Sequence, residues 1–118
     1  MKTTKAHFKT FQKAIAYYCD RYKVGGWQIY FKHIELEGAY AEIDATLKTR
    51  AVEFRFNTEW VESSRTLCEE EIYKTAKHEV IHLLLWPLYT VAWDRFTTQA
   101  EVETIEEETT VRLQELLI

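Results

Sequence analysis

The stretch from Glu69 to Trp86 contains neither glycine nor proline, and its apolar residues recur at the spacing of an α-helix. The residues that show this spacing are Ile72, Ala76, Leu83 and Leu84. The pattern predicts a helix from about Ser64 to Trp86, with Ser63 or Ser64 as its N-cap. Pro87 is expected to end this helix, because proline lacks the backbone N–H that an α-helix needs.

Two histidines lie on one face of this predicted helix. His78 and His82 are four residues apart, so their imidazoles point the same way, one turn from each other. Imidazoles at this spacing can bind one zinc ion (Zn²⁺), and Glu79 then lies beside the metal as a general base for the attacking water. The sequence therefore predicts a zinc site with His78 and His82 as ligands and Glu79 as the catalytic residue. The competing interpretation is a pair of surface histidines on an amphipathic helix.

A hydrolytic zinc site uses a third protein ligand and leaves one position for water. No histidine follows His82, so the remaining downstream donors are carboxylates, most of them on a predicted last helix from about Thr98 to Leu117. The apolar face of that helix is expected to be Val102, Ile105, Leu113, Leu116 and Leu117. Glu106 falls within this face, where a carboxylate is costly unless a cation compensates its charge. Glu106 is therefore the preferred third ligand, ahead of Glu107 and then Glu103. The competing interpretation of Glu106 is a solvated member of an acidic run.

The residues before the motif predict one helix and three strands. A helix from about Thr4 to Tyr22 carries an apolar stripe and ends before Gly25-Gly26. Apolar and polar residues then alternate in three stretches that predict strands, Trp27 to His33, Tyr40 to Leu47 and Val52 to Phe56. This order of elements predicts a single α+β domain over residues 1–118. In it, a three-stranded antiparallel sheet, folded as a meander, is backed by the N-terminal helix, the motif helix and the C-terminal helix.

Charge and hydropathy limit the partners of the chain. The formal net charge is −4 and the pI is about 5.6, so no excess of basic residues points to nucleic acid. The longest apolar run, Leu83 to Trp86, is far too short to cross a membrane. The first residues contain no apolar segment typical of a signal peptide, which predicts a cytoplasmic protein whose Cys19 and Cys68 are reduced.

These residues resemble the gluzincins, the thermolysin-like zinc peptidases, in their smallest form. The resemblance rests on the order of a three-stranded sheet, His78-Glu79-x-x-His82 on a helix, and a glutamate on the next helix. The chain is similar above all to the minigluzincins. The run HEVIHLLLWPL and the acidic helix ending in RLQELL also resemble small His-Glu-x-x-His proteins of phages and prophages. Two features depart from thermolysin: the chain has no Asn-Glu-x-x-Ser-Asp sequence and lacks the separate helical domain that completes the cleft.

The resemblance implies a zinc-dependent metallopeptidase of narrow specificity. The zinc ligands that it implies are His78, His82 and Glu106. Glu79 would be the general base and acid, and the substrate would be a peptide or protein extended along the edge strand of the sheet. That edge is expected at Ala51 to Phe56 or at Tyr40 to Leu47. A second hypothesis is a catalytically latent or vestigial zinc-binding protein of phage or prophage origin with a regulatory or interaction role, which the small size of the chain favours.

Overall fold

The computed structural model describes residues 1–60, 67–93 and 98–118 of the chain. Within these ranges three helices and three strands form an α+β fold, which confirms the predicted fold class. In chain order the elements are α1 (Lys5–Arg21), β1 (Gln28–Ile34), β2 (Ala41–Thr46), β3 (Ala51–Asn57), α2 (Glu69–Trp93) and α3 (Gln99–Leu116). No helix within these ranges combines the length and the apolar character that crossing a membrane requires.

The first helix, α1, begins and ends within one residue of its predicted bounds. Thr4 caps it, because the Thr4 side-chain oxygen accepts a hydrogen bond from the backbone N–H of His7 (3.2 Å). In return, the backbone N–H of Thr4 donates to Nδ1 of His7 (3.0 Å), which completes a capping box. The buried face of α1 packs on the sheet, where the rings of Phe11 and Phe56 stack with centroids 4.8 Å apart.

The sheet is mixed, so the predicted antiparallel meander is wrong. Its strand order is β1-β3-β2, with β3 parallel to β1 and antiparallel to β2. The central position suits β3, because its Val52, Phe54 and Phe56 side chains are at most 1% exposed. Alternating apolar and polar residues predict each strand and the face that it buries, but they carry no information about which strands are neighbours.

The strand order decides between the two candidate edge strands. The stretch from Ala51 to Phe56 belongs to β3, the central strand, so its prediction as an edge is wrong. The stretch from Tyr40 to Leu47 contains β2, which pairs with β3 alone among the described strands. The other edge of β2 is therefore an edge of the sheet, and α2 packs against this strand.

The motif helix, α2, continues through Pro87 to Trp93, so the prediction that Pro87 ends it is wrong. Proline removes one backbone donor, here the N–H that would reach the carbonyl of Leu83 one turn earlier. Leu83 is 1% exposed and belongs to the hydrophobic core, so tertiary packing around this turn outweighs the poor helix propensity of proline. The predicted caps, Ser63 and Ser64, lie outside the described residues.

The last helix, α3, follows its prediction in extent but not in its apolar face. Thr98 caps it by accepting a hydrogen bond from a backbone N–H of the first turn (3.2 Å). Ile105 and Leu116, both predicted to be buried, are 63% and 76% exposed, whereas Val102 and Thr110 are buried. In the described part of the chain α3 packs mainly on α2, and a helix with one such neighbour buries only a narrow strip. That strip is largely polar, and it faces the histidines of α2.

Candidate metal centre

His78 and His82 lie side by side on the surface of α2 that faces α3. Their Nε2 atoms are 3.1 Å apart and their ring centroids are 4.8 Å apart. Both side chains are partly buried. The helical spacing expected from the sequence therefore brings the two imidazoles together, with the same nitrogen of each ring at their meeting point.

Glu107 reaches both of these nitrogens from α3. One of its carboxylate oxygens lies 3.0 Å from Nε2 of His78, and the other lies 3.1 Å from Nε2 of His82. Glu107 was the second choice for the third ligand in the sequence analysis. In the structure, its carboxylate is the one that contacts both Nε2 atoms.

Glu106 contacts the opposite side of the His82 ring. Nδ1–H of His82 donates a hydrogen bond to Oε1 of Glu106 at 2.5 Å, and the Glu106 side chain is 13% exposed. The buried Thr110 lies beside this pair, and its hydroxyl donates to the backbone carbonyl of Glu106 (2.9 Å). Glu106 thus lies on the packed face of α3, as predicted, but at Nδ1 of His82 rather than at Nε2.

Gln114 is a site residue that the sequence analysis missed. Its side-chain oxygen lies 2.8 Å from Nδ1 of His78, where it accepts a hydrogen bond. It follows Glu107 by seven residues, which places both residues on the same face of α3 two turns apart. A search for polar side chains one or two turns from each candidate ligand would have found it.

The chemistry of these groups fits a divalent cation. When Nδ1 of a neutral histidine donates its hydrogen, as the partners Gln114 and Glu106 favour here, Nε2 carries the ring's lone pair. The carboxylate of Glu107 is also an acceptor, so three lone-pair groups meet at one point. Two imidazole nitrogens and a carboxylate oxygen are a ligand set typical of catalytic zinc. Among the described residues, two groups bring their ligand atoms within 4.8 Å of one another: His78, Glu79 and His82, and His82, Glu106 and Glu107.

Glu79 is buried next to these histidines, with 6% of the residue exposed. Burial raises the pKa of its carboxyl to about 8; His82 opposes this shift, and the negative charges of Glu107 and Glu106 add to it. For His82, burial alone would lower the pKa, but its hydrogen bond to Glu106 and the surrounding carboxylates outweigh burial and raise the pKa. A carboxyl group whose pKa lies near neutrality can both hold and release a proton there, which is a property of catalytic acids and bases.

The site opens into a cleft of about 890 Å³ between β2, α2 and α3. The edge strand β2 contributes Ala41, Glu42 and Ile43 to its lining. The lining includes six glutamates and one lysine, namely Glu42, Glu71, Lys74, Glu79, Glu103, Glu106 and Glu107. The cleft therefore has an acidic lining that runs alongside an extended strand.

Glu103, the third choice for a ligand, lines the same cleft one turn before Glu107. Its carboxylate accepts a hydrogen bond from the side-chain N–H of Gln99 (2.9 Å). Burial and the charges of Glu103 and Glu106 raise the pKa of the neighbouring Tyr89 phenol. Glu103 is thus part of the cleft wall, whereas Glu106 and Glu107 contact the histidines directly.

No family model matches this chain. No curated protein matches it either. Among solved structures, it is similar to the crystal structure of the metallopeptidase zymogen of Methanocaldococcus jannaschii jannalysin. The two sequences are 17% identical, the match covers 100% of this chain and 96% of that chain, and the TM-score is 0.48. A likeness at this level assigns no role to any residue, so the roles below rest on the chain's own geometry. The resemblance to phage and prophage proteins and the cytoplasmic location stay predictions.

Proposed function

We propose that this chain is a zinc-dependent peptidase in which His78, His82 and Glu107 bind the metal and Glu79 is the catalytic residue. The observation that supports this most is the meeting of three lone-pair groups, with Nε2-to-carboxylate distances of 3.0 and 3.1 Å. A bound cation satisfies all three groups at once, whereas protons can do so only if an imidazole becomes charged. Zinc prefers nitrogen and carboxylate ligands of this kind and number.

Glu106, preferred as a ligand on sequence grounds, has a different role in this proposal. It accepts the Nδ1–H of His82, which fixes the orientation of the ring and keeps the lone pair on Nε2. A carboxylate in this position also makes the imidazole a stronger ligand. Glu106 and Glu107 would therefore both serve the metal site, Glu107 as a ligand and Glu106 through His82.

Glu79 carries the proton in the proposed hydrolysis. His78, His82 and Glu107 would hold a zinc ion whose Lewis acidity would polarise the scissile carbonyl and make water easier to deprotonate. Glu79 accepts a proton from the attacking water as the water oxygen bonds to the carbonyl carbon. It then donates this proton to the amide nitrogen as the C–N bond breaks, so the carboxylate is restored. The burial of Glu79 favours the protonated carboxyl that forms between these two steps.

The substrate class follows from the walls of the cleft. β2 is an edge strand that lines the cleft, so its main chain can pair with an extended peptide. The lining has five glutamates besides Glu79 and one lysine, so it is acidic and repels peptides that carry acidic side chains. We therefore expect uncharged or basic peptide segments to be cleaved in preference to acidic ones.

The test is a cleavage assay on a peptide library, read by mass spectrometry, with protein loaded with one equivalent of zinc. Glu79→Gln should retain the zinc and lose cleavage, because the amide cannot accept the proton of water. Glu70→Gln, an exposed glutamate of the same helix, is the matched control and should cleave like the parent. His82→Ala should lose the metal itself. Full cleavage by Glu79→Gln would remove Glu79 from the catalytic role.

A second candidate function is a metal-stabilised binding protein without catalysis. One observation favours it: His82, Glu106 and Glu107 can bring ligand atoms within 4.8 Å of one another. If both glutamates bound the metal together with His78 and His82, four protein ligands would leave no position for water. A crystal structure of the zinc-loaded protein distinguishes the two functions, since the peptidase requires three protein ligands and one water.

A further inference from the structure

Gln114 stands in a chain of hydrogen bonds that ends at the candidate metal centre. Its side-chain N–H donates to the backbone carbonyl of Lys74 on α2 at 3.2 Å. Its side-chain oxygen, which therefore points the other way, lies 2.8 Å from Nδ1 of His78. The carbonyl of Lys74 can only accept, so it fixes which end of the Gln114 amide faces the histidine.

The orientation of the amide determines where the proton of His78 lies. An amide oxygen can only accept, so Nδ1 of a neutral His78 must carry the hydrogen of this bond. Neutral imidazole has a single N–H, so Nε2 then carries the lone pair. This is the nitrogen that faces Nε2 of His82 and the Glu107 carboxylate.

The position of Gln114 is held by contacts around it. It lies near the end of α3, where the side-chain ammonium of Lys77 on α2 donates to the backbone carbonyl of Leu117. The same end of α3 is thus attached to α2 by a second hydrogen bond. Gln114 is therefore held within reach of His78 by the packing of two helices.

We propose that Gln114 is a positioning residue that holds His78 in the tautomer with its proton on Nδ1, leaving Nε2 to bind the metal. This role rests on the proposed function, because it presumes a metal at Nε2. Gln114 serves His78 with a neutral amide, whereas Glu106 serves His82 with a carboxylate. Two different side chains of α3 therefore orient the two imidazoles so that both can bind one ion.

The first measurement is made on the metal-free parent protein and needs neither zinc nor activity. Nitrogen-15 NMR distinguishes a protonated ring nitrogen from an unprotonated one, and it is recorded at a pH where the His78 ring is neutral. In the parent, His78 should show a protonated Nδ1 and an unprotonated Nε2. In Gln114→Met, which keeps the length of the side chain but not its acceptor, the proton should move in part to Nε2. A parent spectrum with the His78 proton on Nε2 would overturn the proposal.

The second measurement is zinc affinity by competition with a chromogenic chelator. Gln114→Met should weaken zinc binding by about 10–100-fold, the usual cost of losing a partner of a ligating histidine. Gln114→Glu restores an acceptor for Nδ1 and should bind zinc with an affinity close to that of the parent. Gln99→Met is the matched control, since Gln99 is a glutamine of the same helix whose side chain contacts Glu103 instead.

The outcomes separate this role from the proposed function. Zinc affinity of Gln114→Met equal to that of Gln99→Met would overturn the role of Gln114 while leaving a metal site in place. An equal loss in Gln114→Met and Gln114→Glu would also overturn it, because the acceptor would then not matter. If the parent bound no zinc, the proposed function and the metal-binding part of this role would both fail, whereas a parent that binds zinc with the His78 proton on Nε2 would overturn the role of Gln114 alone. The parent spectrum and Gln114→Glu also decide it if Gln114→Met does not fold.

Discussion

Glu106 and Glu107 are adjacent in sequence, yet their carboxylates contact opposite nitrogens of the His82 ring, Nδ1 and Nε2. Consecutive residues of a helix point about 100° apart, which lets α3 place one carboxylate at each side of the same imidazole. Because the proton of the ring lies on the Nδ1 side, towards Glu106, the lone pair lies on the side of Glu107. The two glutamates should therefore differ sharply when each is replaced.

We expect Glu107→Gln to weaken zinc binding more than Glu106→Gln. Glu107→Gln removes a negative charge from the metal ligands. Glu106→Gln removes only the charge of the partner of His82, because the amide oxygen of glutamine can still accept the Nδ1–H, so it should cost less than the roughly 10–100-fold of losing such a partner altogether. Zinc affinity by chelator competition measures both effects. Glu108→Gln is the control, since Glu108 is exposed and next in sequence. The opposite order of effects would make Glu106 the ligand, as the apolar pattern of α3 first suggested.

Metal binding should also decide how firmly α3 is held on α2. The buried residues of α3 are Val102 and Thr110, and much of its remaining contact with α2 passes through the histidines and their partners. A ligand at 100 times its dissociation constant stabilises a protein by about 2.7 kcal/mol. Zinc should therefore raise the melting temperature and slow hydrogen exchange in α3, and excess chelator should reverse both. Equal protection of α3 with and without zinc would show that apolar packing holds the helix unaided.

The helices of this fold follow from local patterns, and the neighbours of each strand do not. α1 and α3 lie close to their predicted bounds because periodicity and the caps Thr4 and Thr98 act over a few residues. The position of β3 between β1 and β2 depends on contacts between residues far apart in the chain, and alternation is the same for either strand order. Pro87 shows the same limit, since the packing of Leu83 keeps helical a turn that local propensity would end.

The candidate site is likewise predictable from the sequence only in part. The spacing of His78 and His82 predicts that they meet, because four residues on a helix are one turn. The choice between Glu106 and Glu107 depends on how α3 is rotated on α2, which a single-residue difference in register reverses. The apolar stripe placed Glu106 on the packed face, and it does lie there, at Nδ1 of His82. The packing of α3 on α2 decides which ring nitrogen each carboxylate contacts. The apolar periodicity of either helix alone does not contain this information.

Acid should destabilise the region around His33, which stacks on the ring of Phe8 with centroids 4.9 Å apart. Its Nε2–H donates to the hydroxyl of Thr3 (2.6 Å), since that hydroxyl gives its own proton to the carbonyl of Asn57 (2.9 Å). Burial, with a smaller contribution from the charge of His7, lowers the pKa of His33 below 6.5. The unfolded chain then binds the proton first, so the contribution of His33 to stability is present above pH 6.5 and is lost as the pH falls.

The measurement for His33 is the free energy of unfolding, from denaturant titrations at several pH values between neutrality and mild acid. The parent should lose more stability over this range than His33→Gln, which keeps a donor for Thr3 but has no proton to bind. All other titratable groups are the same in the two proteins, so the difference between the two curves isolates His33. Parallel curves for parent and variant would contradict the lowered pKa.

The two thiols should react at very different rates, because their surroundings differ. Cys68 is exposed, whereas Cys19 is half-buried on α1, and burial raises the pKa of the Cys19 thiol from 9.0 to about 11. The thiolate is the reactive form, and at pH 8 a pKa of about 11 leaves roughly one thiolate in a thousand. In the pair Cys19→Ser and Cys68→Ser, a thiol reagent at pH 8 should therefore modify Cys19 far more slowly than Cys68. Equal rates for the two thiols in folded protein would show that Cys19 is accessible and ionises normally.

The raised pKa of Cys19 also affects stability at high pH. The thiol ionises first in the unfolded chain, so the stability due to Cys19 is full below pH 9.0 and is lost as the pH rises towards 11.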